Sequence, residues 1–232
     1  MTELSGNAPT LEVGELTEDE AYQLAEALKL QLADQQLPSS DEDSIKKMVA
    51  GLGDQRGALR LTFAQSLGSV GEAAIPILCV ALKSNPNVVI RRASAKTLNI
   101  IGSELALPYL IEAFETDNDP VVQGSSAGAM ATIGIPAIES LLKILSNEKC
   151  TAFQVGLINL ALSFIGAKAP DAFTTAAKSE NPEIRIAALT ALSDQVHSSA
   201  SKTAKNILLE ALKELSSIFS VNLLNLLQQK DN

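Results

Sequence analysis

Tryptophan is absent from this 232-residue chain, aromatic residues make up 3% of it, and there is a single histidine, His197. A core with so few aromatic side chains, built largely from Ala and Leu, argues against a β-sandwich, whose pleated faces select aromatic and β-branched residues. The lone histidine leaves a serine or cysteine triad of the ordinary kind with only one candidate base. His197 stands beside Ser198 and Ser199 at a helix-end position and reads first as a solvated polar residue. The two cysteines, Cys79 and Cys150, lie too far apart for a metal-ligand spacing and read as small hydrophobes of a reducing compartment. No Walker-type loop and no GxGxxG after a strand is present, and no metal or resident cofactor is expected. The start, Met1 to Gly14, has neither the basic residues nor the apolar run of a signal peptide. The apolar stretch Ile75–Leu82 is too short to cross a bilayer, and no membrane insertion is expected.

Basic clusters are also missing. Of the net charge of −9, residues 1–53 carry −8 through 11 acids and 3 bases, and the rest of the chain is close to neutral. Nucleic acid is therefore not an expected partner, since neutralising phosphates takes clustered Lys and Arg. The composition divides the chain into an acidic segment with capping helices (1–53), a repeat body (54–200) and C-terminal capping helices (201–232).

What is present is a spacing. Val70-Gly71, Ile101-Gly102, Ile133-Gly134 and Ile165-Gly166 recur at intervals of 31, 32 and 32 residues. A glycine after a β-branched residue suits a helix end, because glycine adopts the left-handed conformation at little cost. Eleven residues before each glycine stand Arg60, Arg91, Gln123 and Val155, and Arg185 continues the series. Seven residues after these come Leu67, Leu98, Met130, Leu162 and Leu192, the buried stripe of a first helix. A second helix follows each glycine, with Pro76, Pro108, Pro136 and Pro170 near its first turn and Leu78, Leu110, Leu141 and Phe173 near its middle. Asn85-Pro86, Asp119-Pro120 and Asn181-Pro182 serve as entry turns, which the fourth unit lacks. Thr17 to Glu20 forms a capping box that opens a helix over 18–33. Two helices per unit, repeated about five times, predict an all-α fold, an α-solenoid of HEAT-type helical hairpins with helical caps.

Arg60, Arg91 and Arg185 recur at one position and are expected to form a structural ladder, each reaching an acidic or carbonyl group at a neighbouring turn. Arg56, Arg92 and Lys96 fall outside that series. They either present a solvated helix face or meet an anionic ligand or acidic partner. Tyr109, on a second helix, either packs in the interior or stacks on a ligand.

The string Gly53-Asp54-Gln55-Arg56-Gly57-Ala58-Leu59-Arg60-Leu61-Thr62-Phe63-Ala64, then Ser66-Leu67-Gly68, resembles the first clear repeat of cyanobacterial bilin-lyase-like HEAT proteins. So do Val89 to Leu98 and Asp119 to Ser125. That family includes paired phycocyanobilin lyase subunits and the phycobilisome degradation protein, and a single chain of this length looks more like the latter. The resemblance implies action on the cysteine–bilin thioether of phycobiliproteins, with detachment during antenna disassembly as the leading reading. A non-catalytic interaction scaffold and a bilin-attaching lyase are the alternatives. It further implies phycobiliproteins such as phycocyanin or allophycocyanin subunits as partners, bilin as substrate or ligand, and a location in the cytoplasm at thylakoid-bound phycobilisomes. Arginines on a groove could orient the bilin propionates, but no motif fixes a catalytic residue, and the Asn-His-Cys string of lyase-isomerase relatives is absent.

Overall fold

A computed structural model describes residues 16–196 and 201–228. His197 and residues 1–15 and 229–232 lie outside that range. The described residues are helical and contain no strand. The chain forms two compact units that divide between Ile133 and Gly134.

The first unit contains α1 (Glu18–Ala33), α2 (Glu42–Gly51), α3 (Gly57–Val70), α4 (Ile75–Ser84), α5 (Val88–Ile101), α6 (Leu107–Thr116) and α7 (Pro120–Ile133). The helix starts follow from local chemistry. Thr17 and Glu20 complete the capping box of α1, Asp41 accepts from the Ser44 N–H, and Asn87 accepts from the Val89 N–H. Pro76 and Pro108 sit in the first turns of α4 and α6, where no intrahelical N–H is needed. Gly71, Gly102 and Gly134 all have positive φ, 72°, 66° and 86°, which favours glycine. Only Gly102 takes the left-handed cap conformation that the repeat spacing predicts, while Gly71 and Gly134 have ψ of −137° and −131°.

First helices pack on first helices, α1 against α3, α3 against α5 and α5 against α7, while α2, α4 and α6 form the second layer. The acidic segment is thus joined to the repeats, because α1 and α2 both pack on α3. Between the layers lie Phe63, Leu67, Leu78, Leu98, Leu110, Phe114 and Met130, each at most 1% exposed. The stretch Gly57–Ser84 is long and apolar enough to cross a membrane, but Gly71 breaks it into α3 and α4 and half of its most apolar window is buried. Cys79 on α4 is buried, which pushes its thiol up to about 12.

The second unit contains α8 (Ile138–Leu145), α9 (Ala152–Lys168), α10 (Pro182–Ser193) and α11 (Ser201–Gln228). Two expectations change here. Gly166 does not end its helix: α9 continues to Lys168, and Gly166 instead permits close approach. A Cβ there would lie 3.3 Å from the Ala191 carbonyl oxygen and 3.6 Å from the Phe173 ring. The second helix expected around Phe173 is also missing. Two short 3-10 turns, Pro170–Phe173 and Ala176–Lys178, take its place, with Phe173 and Ala177 fully buried. The start of α9, which has no Asn/Asp-Pro entry, uses a Thr151–Gln154 capping box.

Candidate functional site

The recurring polar position does one job wherever its side chain can reach. Arg60 donates to the Asp54 carbonyl at 2.6 Å, Arg91 to that of Asn85 at 3.1 Å, Gln123 to that of Asp117 at 2.7 Å and Arg185 to that of Ser179 at 2.6 Å. Each partner lies six residues back, so the side chain folds over its own entry loop and satisfies a carbonyl left free by the preceding segment. Arg91 alone adds a carboxylate, reaching Asp117 at 2.8 and 3.3 Å.

Arg56 and Arg92, which lie outside the recurring series, are also committed within the fold. Arg56 donates to both Asp54 carboxylate oxygens, at 2.9 and 2.7 Å, and to the Glu18 carbonyl at 2.9 Å, which ties α3 to α1. Arg92 makes a two-pronged pair with Asp119, at 2.9 and 2.6 Å. A ligand carboxylate at either guanidinium would compete with a resident one. Lys96 is exposed and has no ion-pair partner among the described residues.

Tyr109 is 42% exposed in the first turn of α6, on the second-helix layer. Eight residues of helix, about 12 Å, separate it from the 117–119 loop that holds Arg92, so the structure does not gather the four residues into one site. Near it, Glu112 of α6 pairs with Lys83 of α4 at 2.8 Å on the surface.

Asp119 is where a structural role can be tested. Its carboxylate also accepts from the Val121 and Val122 N–H groups, at 3.1 and 3.0 Å, and so caps α7. The Arg92 hydrogen bond, aided by these N–H groups and opposed by burial, holds its pKa down to about 2 from 3.8. A depressed folded-state value contributes stability in full above the unfolded pKa, and that contribution disappears as pH falls through about 4 to about 2. Asp119→Ala should cost about 1–3 kcal/mol in urea denaturation at neutral pH, combining a lost cap with a partly exposed ion pair. Asp119→Asn retains a cap acceptor and should cost less, while flattening the stability profile between those two pH values. Equal, negligible effects from both would show that the pair is incidental.

No group of three or more His, Cys, Asp or Glu residues able to hold a metal ion occurs among the described residues. The second unit has two features that the repeat register did not reveal. On α9, Phe153, Leu160 and Phe164 are 51%, 69% and 46% exposed along one face, and the Lys168 ammonium lies 4.3 Å from the Phe164 ring centre. Leu160 and Phe164 occupy positions held by Gln65 and Ser69 in α3, and that contrast was available in the sequence. The other feature is a cavity of about 750 Å³ bounded by α8, the two 3-10 turns and α10, with Ile135, Ile138, Leu142 and Ile184 among its apolar walls.

These stacked hairpins, with their loop-tying position, define a HEAT-repeat protein, and residues 45–131 match the family described as HEAT repeats. The chain is 64% identical over 217 residues to the bilin biosynthesis protein MpeU of Synechococcus sp. (strain WH8020), a match covering 94% of this chain and 73% of MpeU. It belongs to the family of that protein. A second relative is the uncharacterized phycocyanin operon protein Z of Pseudanabaena tenuis (strain PCC 7409), 29% identical over 131 residues, 53% of this chain and 64% of that protein. Among solved structures, the complex of CpcE and CpcF of phycocyanin lyase from Nostoc sp. PCC7120 contains a similar chain. It has a TM-score of 0.49 and 23% identity, covering 74% of this chain and 99% of that one. The likeness to bilin-related HEAT proteins read from the sequence stands on the match to MpeU. Its narrower placing beside the phycobilisome degradation protein does not: neither named sequence relative is a degradation protein, and the one with an assigned role belongs to bilin biosynthesis.

Proposed function

We propose that this chain assists the covalent attachment of an open-chain tetrapyrrole to a phycobiliprotein. The observation that carries this reading is the 64% identity to a bilin biosynthesis protein across 94% of the chain. It favours the attachment alternative over detachment. In attachment, a cysteine thiol of the acceptor adds across an exocyclic double bond of the bilin. A C–S bond forms, and the thiol proton ends on the chromophore. Detachment is the reverse elimination. The protein's contribution is to hold one reactant in register with the other on its helical surface, which lowers the entropic part of the barrier. No residue is assigned as the acid or base.

The test is to incubate the purified chain with free bilin and a phycobiliprotein apo-subunit, then follow zinc-stained fluorescence on a denaturing gel. A gain of covalent bilin on the apo-subunit is expected. Loss of bilin from intact phycocyanin would instead support detachment, and no change in either assay would support an interaction scaffold.

A further inference from the structure

The cavity of the second unit exists because a helix does not. Each repeat of the first unit fills its second layer with a full turn-rich helix, α4 or α6. The corresponding segment after α9 is reduced to two 3-10 turns, and its alanines Ala172 and Ala176 face the opening. The space left measures about 750 Å³ and is open to solvent. Its lining is mostly apolar, yet Ile135 remains 57% exposed with nothing covering it. Its polar groups are Glu139 on α8, and Thr174, Thr175, Lys178 and Ser179 along the 3-10 segment.

We propose that this cavity holds the bilin, an inference that rests on the attachment reading and gives it a location. An open-chain tetrapyrrole is a flat, apolar string of four rings with inward N–H donors and two propionate carboxylates. Its bulk suits a cavity in the usual range of small-molecule sites, roughly 300–1,000 Å³. The isoleucine and leucine walls accept the ring faces. The Glu139 carboxylate can accept hydrogen bonds from ring N–H groups, and Lys178 with the neighbouring hydroxyls can bind a propionate. Lys178 already pairs with Glu214 at 2.7 Å and Glu210 at 3.8 Å, both on α11. These partners raise its pKa and keep it charged. The side chains of Glu210 and Glu214 are 61% and 51% exposed, so a ligand carboxylate displaces them at lower cost than it would the 8% exposed Asp54 or the 14% exposed Asp119. The open side leaves one end of the chromophore within reach of an acceptor thiol.

The experiment titrates free phycocyanobilin into the full chain and reads the circular dichroism induced in the visible band. Saturable induced ellipticity is expected for the unaltered protein. Ala176→Trp, which fills the cavity, should weaken binding by about tenfold or more. Ile135→Glu changes an already exposed residue and so spares folding, and a negative charge added to the cavity wall should weaken binding of a dianionic ligand similarly. Tyr109→Ala, in the first unit, should stay within about twofold of the parent. Two results would overturn the site: no induced signal from the unaltered protein, or parental affinity in both cavity variants with unchanged melting temperatures. Covalent attachment to the apo-subunit is measured in parallel. If the unaltered chain attaches bilin while the cavity variants bind and attach normally, the site is wrong and the attachment reading survives. If bilin binds at the cavity but never reaches the apo-subunit, the site stands and the attachment reading falls.

Discussion

Phe63→Ala is expected to lower the stability of the first unit by about 3–5 kcal/mol, the range for truncating a large aromatic in a packed interior. The Phe63 side chain on α3 is fully buried, and its ring lies directly on the backbone of α2. A Cβ placed on Gly51 would come within 2.4–2.5 Å of three ring carbons, so only glycine leaves room for the ring as packed. The pair therefore sets how closely α2 approaches α3. Gly51→Ala should be destabilising by about 1–3 kcal/mol for the opposite reason, since an added methyl has nowhere to go without moving the ring. Combining the two should cost less than the sum of the single changes, because the methyl then occupies part of the vacated space. Urea denaturation of the four proteins gives the cycle. Strict additivity would mean that the ring and the glycine are not in contact, and a cost below about 1 kcal/mol for Phe63→Ala would mean that the ring is not a core residue.

That contact also shows what a repeat spacing can and cannot tell. Phe63 sits three positions after Arg60, and nothing in the 31- and 32-residue intervals marks Gly51, twelve residues earlier, as its seat. The intervals do locate the helix ends at Gly71, Gly102 and Gly134, because the positive φ that each end adopts is a local requirement that glycine meets at little cost. At Gly166 the same dipeptide misleads. Ala167 and Lys168 are good helix formers, α9 runs on through them, and the glycine serves the close approach of α10 instead. The arginine ladder was legible since its acceptors lie six residues back in the same loop. The roles of Arg56 and Arg92 were less so: Asp119 is 27 residues beyond Arg92 and meets it only when α5 and the loop before α7 are packed together. The cavity was not legible. It results from a helix that fails to form after Pro170, a segment whose proline and leading apolar residue match the pattern of units where the helix does form.

Leu98→Ala and Met130→Ala should each cost about 2–5 kcal/mol, with folding and helical content retained. The two residues hold the same place in successive first helices, α5 and α7, seven residues after Arg91 and Gln123. Leu98 is 1% exposed and Met130 fully buried, so truncation leaves a void that water cannot fill favourably. The costs should differ in a definite direction. Methionine is unbranched, and its neighbours pack around an adaptable chain, so Met130→Leu should be tolerated at below about 1.5 kcal/mol. Leu98 shares its helix with the Arg91 and Arg92 ties to the 117–119 loop, which hold α5 in place and limit collapse into the void. Leu98→Ala should therefore lie nearer the upper end of the range than Met130→Ala. The measurement is the urea midpoint at constant m-value for each variant. Midpoints unchanged for both would mean that the register of the repeat is shifted by at least one position. A larger loss for Met130→Ala would mean that the loop ties do not constrain how α5 relaxes.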